Sequence, residues 1–542
     1  MKDAVVIGGG HNGLVCGTFL ARAGMDVLVV EANDEPGGCI WSETLPSGHR
    51  IERGAIEHGI ILDIARELEL GRYGLEYVFR DALVGAGFGD GTSLVFYTDL
   101  EATVETLRRH APQDEAGYRN LARLAGDLLA MLGTFPNAPS LTDIAAFSSN
   151  LGIDALRLLL MSAEKVVASY VTDSRLTSAL TMYAAHAQLP PWLPGTGLFG
   201  LLLAGSHGRA SGRGLFGLLL AGSHGQAPGR PRGGSSTLTL ALVEALRAAG
   251  GELRTGATVT RIEAAGGGGS VTLDDGDEIA ARNVVSTLDV MRTAGMFTEP
   301  PDDLAWAART VASGSLNVAE LKVDLALTAP PRPGFDGPPE ALWLLQPEPD
   351  SLRRSYAEIM AGDLPSEPSM MWAAPSALDP SAAPPGAGTL WLSAFVPAKR
   401  RHGEWDESSE EAAAEWLLDG FEAITGIEAR AGMIDMRVTG PASWQRRIGA
   451  IHGNPNHLDL TVDQLFTWRP PTGGGYRTEL DWMYLSGAGT YPGGGLSGLP
   501  GRNTAMAVLG DGGRGRKTGG WRSDIAALRR GWRLFRTLRR RR

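Results

Sequence analysis

The chain has 542 residues, 43% apolar and 20% charged. That is a globular composition, and it excludes a wholly disordered, collagenous or coiled-coil molecule. Single cores stop growing at about 250–300 residues, so more than one domain is expected. Two cysteines, Cys16 and Cys39, cannot build a disulfide framework or a cysteine zinc site and suit a reducing compartment. The net charge of −11 hides an asymmetry: residues 512–542 carry twelve Arg or Lys and one Asp. An acidic body with a basic tail argues against nucleic-acid binding by the body.

In chain order, residues 4–7 are apolar and β-branched, 14–23 are helical in composition, and 27–30 form a second buried strand. No run approaches the roughly 18 apolar residues of a membrane span, and a strand-like run starting at Asp3 leaves no room for a charged leader. We therefore expect a cytoplasmic protein. Helical patterns dominate residues 60–186, interrupted by a hairpin at Asp90-Gly91, a strand at 93–98 and Asp99 as a helix N-cap. Residues 197–213 and 214–230 match at 15 of 17 positions, a tandem duplication and too short a series for a solenoid. Its histidines, His207 and His224, bring no second ligand type, so no metal is assigned there. A helix at 237–249 precedes a strand at 252–262, a strand at 271–273 and the run 283–286. On the alternating strand 321–327, Lys322 is expected to face solvent.

Gly8, Gly10 and Gly13 form a GxGxxG turn between strand and helix, and Glu31 ends the next strand 18 residues beyond Gly13. Gly8 permits the tight turn, Gly10 the approach of a pyrophosphate, and Gly13 close packing of helix on strand. The helix start offers unpaired N–H groups to the phosphates, and Glu31 accepts from a ribose diol. Gly37-Gly38 adds a second close-approach pair. Gly85 and Gly87 lead into a strand and Gly266–Gly269 sit in a hairpin, so no second dinucleotide unit is present. A second glycine-rich turn, YLSGAGTYPGGGLSGLPGRNTAMA (484–507), lies between a strand and a helix.

VVIGGGHNGLVCGTFLARAGMDVLVVEANDEPGG resembles the adenine-dinucleotide signature of FAD-dependent amine oxidases and phytoene desaturases. With residues 231–262 and the C-terminal glycine motif, the chain from about residue 3 to 511 resembles the phytoene desaturase-like family of FAD-dependent oxidoreductases. That resemblance implies an α/β fold, a Rossmann-like FAD-binding domain interleaved with a mixed α+β substrate domain. FAD binding would fall to 1–60, 231–300 and 481–511, and a substrate domain to 61–230 and 301–480. It implies that Gly8, Gly10, Gly13, Glu31, Gly37 and Gly38 bind the ADP half of FAD. Val259 would meet the adenine, and Gly487, Gly489, Gly495 and Leu496 the ribityl and isoalloxazine. The duplication, Glu479 where relatives often carry proline, and the basic tail depart from the family pattern.

Substrates in that family are lipophilic polyenes, desaturated, isomerised or oxygenated with hydride passing to flavin N5. Positioning supplies much of such catalysis. Glu57 and His58 in RGAIEHG, with His457 and Arg469 near the C-terminus, are the catalytic candidates, each competing with a structural role. His452, His457 and Asp459 have ligand chemistry, but no metal is assigned. Cys39 is placed near the cofactor as a packing residue. In the tail, Trp521, Ile525, Leu528, Trp532, Phe535 and Leu538 share one helical face opposite arginines. That pattern suits an anionic membrane surface contacted through 514–542. Oxidation of a small amine, or a non-catalytic flavin-binding assembly role, are the competing readings; the apolar stretch 201–204 and the tail favour a lipid substrate.

Overall fold

The computed structural model describes residues 1–58, 61–132, 138, 154–207, 229–332, 334–471 and 475–512. His224, nearly all of the second 17-residue copy and the basic stretch 514–542 lie outside them. β1 (Lys2–Ile7), α1 (His11–Arg22) and β2 (Val27–Val30) form the expected strand–turn–helix–strand unit. β1 lies parallel to β2 on one side and to Glu278–Ser286 on the other. Glu252–Arg254 extends the parallel sheet beyond β2. Met483–Leu485 closes it beside the end of Glu278–Ser286, which brings the strand before the second glycine turn into the same sheet as β1. Such strands read as continuous apolar runs because both faces are covered. α1, Ser236–Ala248 and Leu499–Gly512 cover one face, with Leu14, Val15, Leu242, Leu246 and Ala505 in their shared core. The fold is thus a Rossmann-like α/β domain joined to a second, mixed layer.

One expected element differs. The strand predicted at 252–262 is two, Glu252–Arg254 and Val259–Ala265. Between them Gly256 N donates to Asn33 O and Ala257 N to Glu31 O, both at 2.9 Å. These bonds peel the chain off the parallel sheet into the hairpin with Gly268–Leu273, carrying Val259 across the mouth of the Rossmann unit.

The second sheet runs in the order Met433–Thr439, Ala319–Leu327, Gly388–Val396, Met370–Ala373, Leu342–Gln346, Ala82–Phe88, Ser93–Tyr97. All neighbours are antiparallel except Leu342–Gln346 with Ala82–Phe88. Asp99 caps Leu100–His110 by accepting from Ala102 N at 2.8 Å. Helix Asp302–Gly314 packs Leu304, Ala307 and Val311 into the core of the first sheet. Among the described residues no helix is long and apolar enough to cross a membrane.

One expectation is overturned by burial. Lys322 is not solvated: it is 1% exposed. Leu321, Val323 and Leu325 pack under Glu407–Thr425, while Ala326 on the other face meets Leu45 and Ile51 from the first domain. Alternation predicts a wet face only where one side of a sheet is open, and here neither is. The Lys322 ammonium donates to Glu52 O and, at 2.7 Å, to Gly54 O, and pairs with Asp324 at 3.4 Å. The apolar run 201–204 of the first 17-residue copy, expected to favour a lipid substrate, packs inside the protein. Leu201, Leu202, Leu203 and Ala204 are at most 1% exposed and sit in the main helical core. His207 at its end is consumed structurally, one ring nitrogen 2.8 Å from Tyr97 O and the other 2.5 Å from the Tyr118 hydroxyl.

Candidate functional site: a dinucleotide cleft over the glycine turn

A cleft opens at the carboxyl end of β1 and β2, where ligands of open α/β sheets bind. Gly8, Gly10, Glu31, Gly38, Val259 and Gly487 all line it. Gly13 lies beneath the lining: a Cβ there would land on the carbonyl oxygen of Gly8. At Gly10 the reverse holds, since an added Cβ finds no atom closer than Gly38 Cα at 3.8 Å. The first glycine environment is filled by protein and the second is open for a ligand. α1 begins at Gly10 with no side-chain cap, leaving its first N–H groups and partial positive charge for an anion.

Glu31, 6% exposed, accepts from Gly9 N at 2.7 Å and Asn33 N at 2.9 Å. The carboxylate is thereby fixed at the end of β2 and pins the glycine loop. Gly37 lies behind the lining, against Ile40 O and Thr239, and its N donates to Gly9 O at 2.9 Å. Gly489 stands against His457, a Cβ there lying 3.5 Å from His457 Cβ. Gly495 and Leu496 lie further along the turn, outside the cleft lining, with Leu496 packed in the core of α1.

The four polar candidates divide between places. His457 lines the cleft with a buried Nδ1 that has no partner among the described residues. Burial, with Arg469 and Arg292 nearby, lowers its pKa to about 4, so it is a neutral imidazole at pH 7. Arg469, fully buried, donates to Gln464 O at 3.1 Å and Ala488 O at 2.6 Å. It ties the 464–469 segment to the turn that carries Gly487. Glu57 and His58 sit elsewhere, beside Arg80 and Arg230: Glu57 pairs with Arg80 at 2.8 Å and with Arg230 at 3.5 Å. His58 is fully buried and its pKa is lowered to about 3, chiefly by burial and then by the charges of Arg230 and His11.

Sequence reasoning missed the basic wall facing Glu31. Arg292, Arg446 and Arg447 line the cleft. The Arg447 guanidinium lies 4.9 Å from the Trp41 ring centre and donates to Glu35 O at 3.2 Å. The adjacent Arg446-Arg447 pair carried no motif, and only the fold sets it opposite residues more than 400 positions away. Cys39 also lines the cleft, and burial pushes its thiol up to about 12, so it is no nucleophile at neutral pH. An open cradle at Gly10, an uncapped helix start, an anchored carboxylate and an arginine wall fit an adenine dinucleotide with its diphosphate. Arg447→Met should weaken FAD binding about tenfold and flatten its salt dependence, measured by calorimetry at two ionic strengths.

This arrangement defines a dinucleotide-binding protein, and comparison with known proteins names the cofactor and the class of chemistry. Residues 6–58 match the model of an NAD(P)-binding Rossmann-like domain, and residues 196–446 that of flavin containing amine oxidoreductase. The chain is 27% identical to mouse (Mus musculus) pyridine nucleotide-disulfide oxidoreductase domain-containing protein 2, over 94% of this chain and 93% of that protein. It is 25% identical to a lycopene-forming phytoene desaturase of Paracoccus sp., covering 94% of this chain and 98% of that one. Its fold resembles that of cyclohexylamine oxidase from Brevibacterium oxydans, with a TM-score of 0.58 at 16% identity over 95% of this chain and all of that one. The protein is an FAD-dependent oxidoreductase, similar over most of its length to phytoene desaturases and, over residues 196–446, to flavin containing amine oxidoreductases.

Proposed function

We propose that this enzyme desaturates a lipophilic conjugated polyene. A carbon beside the conjugated system loses hydride, the resulting cation is spread over the conjugated chain, and the neighbouring carbon loses a proton to solvent as the new double bond forms. FAD supplies the two-electron acceptor when bound. The observation that carries this reading is the nearly end-to-end alignment with a phytoene desaturase, which spans both the dinucleotide unit and the substrate layer. The chemistry of the chain's own groups is consistent with it. His457 and His58 are neutral imidazoles at pH 7, and Glu57 is engaged by two arginines. The chain therefore contributes positioning rather than a strong acid or base. Arg469 holds the Gly487–Ala488 turn in place, and the Lys322 ammonium holds the Glu52–Gly54 backbone to the substrate sheet.

Anaerobic mixing of the FAD-loaded protein with phytoene or lycopene in micelles tests the reading. Loss of the flavin's visible absorbance is expected. Bleaching by alkylamines and not by polyenes would replace it with amine oxidation, and no bleaching by either class would favour a non-catalytic role. We further propose that the basic stretch 514–542 docks the enzyme on anionic membrane; its support is the sequence pattern alone. Deleting that stretch should then slow bleaching by polyene presented in anionic liposomes and leave the micelle rate unchanged.

A further inference from the structure

Two buried arginines share one carboxylate in the substrate layer. Gly229–Pro231 pairs antiparallel with Tyr77–Phe79, setting Arg230 opposite Val78 and next to Arg80 in space. Both guanidinium side chains are buried, 1% exposed for Arg80 and 4% for Arg230. Arg80 spends every nitrogen: Nε on Ala82 O at 2.9 Å, Nη2 on Leu83 O at 3.3 Å and Nη1 on Glu57 at 2.8 Å. Arg230 reaches only the same Glu57 oxygen, at 3.5 Å, and its Nε and Nη1 have no hydrogen-bond partner among the described residues. Glu52 and Asp379 also act on Arg230. Their oxygens, however, are taken by Ser235 and Ser42 in one case and by Gly233 N and Ser381 in the other.

A buried guanidinium with free N–H groups is costly until an acceptor completes it, and a planar carboxylate offers the matching pair of oxygens. The protein next to the Glu57 carboxylate is apolar. Ile56, next to Glu57, belongs to the same apolar cluster as Phe199, Trp391 and Phe395. The stacked rings of Tyr183 and His186, 6.3 Å apart, lie within electrostatic reach of Glu57. We propose that Arg230, braced by Glu57 and Arg80, anchors the carboxylate end of a long apolar substrate. This deepens the polyene reading and rests on it for the apolar chain: an acid-terminated polyene is taken in preference to a plain hydrocarbon, which still binds through its apolar length.

The test uses the full-length, FAD-loaded protein with retinoic acid and its methyl ester as probes, read by perturbation of flavin absorbance and fluorescence. The wild type is expected to bind the acid about tenfold or more tighter than the ester. Arg230→Gln should erase that preference and leave ester affinity unchanged, while Arg230→Lys keeps part of it. Flavin content and melting temperature report whether each variant is folded, and Arg230→Lys serves if the glutamine form is not. Equal affinity for both probes in the wild type, no binding of either, or equal weakening of both in Arg230→Gln overturns the anchor. The two readings fail separately. Bleaching by hydrocarbon polyenes without acid preference sinks the anchor alone, and Arg230-dependent acid binding without bleaching by any polyene sinks polyene oxidation alone.

Discussion

Gly10→Val should yield a folded protein that purifies without flavin colour. The N-cap conformation at Gly10, φ −69° and ψ 171°, suits any L-residue, and the space around its missing Cβ is empty out to 3.8 Å. A Cβ there displaces nothing in the folded apoprotein. By restricting the unfolded chain, the substitution gains up to about 0.4–1 kcal/mol. The added methyl groups occupy the approach path of the diphosphate, so FAD affinity should fall more than about a hundredfold, or roughly 2.7 kcal/mol. Gly13→Ala makes the contrast. Its Cβ meets the Gly8 carbonyl, α1 must lift from β1, and the apoprotein itself should lose about 1–3 kcal/mol. Flavin-to-protein absorbance ratios and urea unfolding of the two apoproteins separate the effects. Stoichiometric flavin in Gly10→Val would disprove the assignment of the cleft.

Lys322→Met is expected to destabilise the protein by about 3–5 kcal/mol, because it strands a buried carboxylate. Asp324 is 2% exposed and pairs with Lys322, whose ammonium also satisfies the Glu52 and Gly54 carbonyls. Replacing both partners, Lys322→Met with Asp324→Leu, should recover part of the loss, since the carboxylate's desolvation cost is removed while the Glu52 and Gly54 carbonyls stay without their donor. The pH dependence has a defined sign. Burial raises the Asp324 pKa to about 6, against the pull of Lys322 and Arg53. A carboxyl whose folded pKa lies above its unfolded one contributes stability that is full at low pH and lost as pH rises through about 6. Without Lys322 that loss grows and moves to higher pH. Urea midpoints of the single variant at pH 5 and pH 8 should therefore diverge more than those of wild type. Equal divergence would mean that the ion pair is immaterial.

The same two residues show where sequence reading works and where it stops. The Gly10 environment was legible because its determinants are local. A strand, a turn, a helix and a carboxylate within 31 residues fix their own geometry through backbone sterics and a short spacing, whatever packs around them. Lys322 was illegible because period-2 alternation reports which residues share a face and not what covers that face. The cover here is Leu45 and Ile51, more than 270 positions away.

By itself the amino-acid sequence determined the dinucleotide unit, the pairing of its glycines with Glu31 and the second glycine turn before the last helix. Each of these is set by short-range stereochemistry. Only the tertiary structure decided that Arg292 and Arg447 face that unit, that Arg469 clamps the distant turn, and that Arg230 is buried with two nitrogens that have no partner among the described residues. Those facts depend on contacts between segments hundreds of residues apart. Their energies come from desolvation and charge pairing inside the folded protein, quantities that no local pattern along the chain encodes.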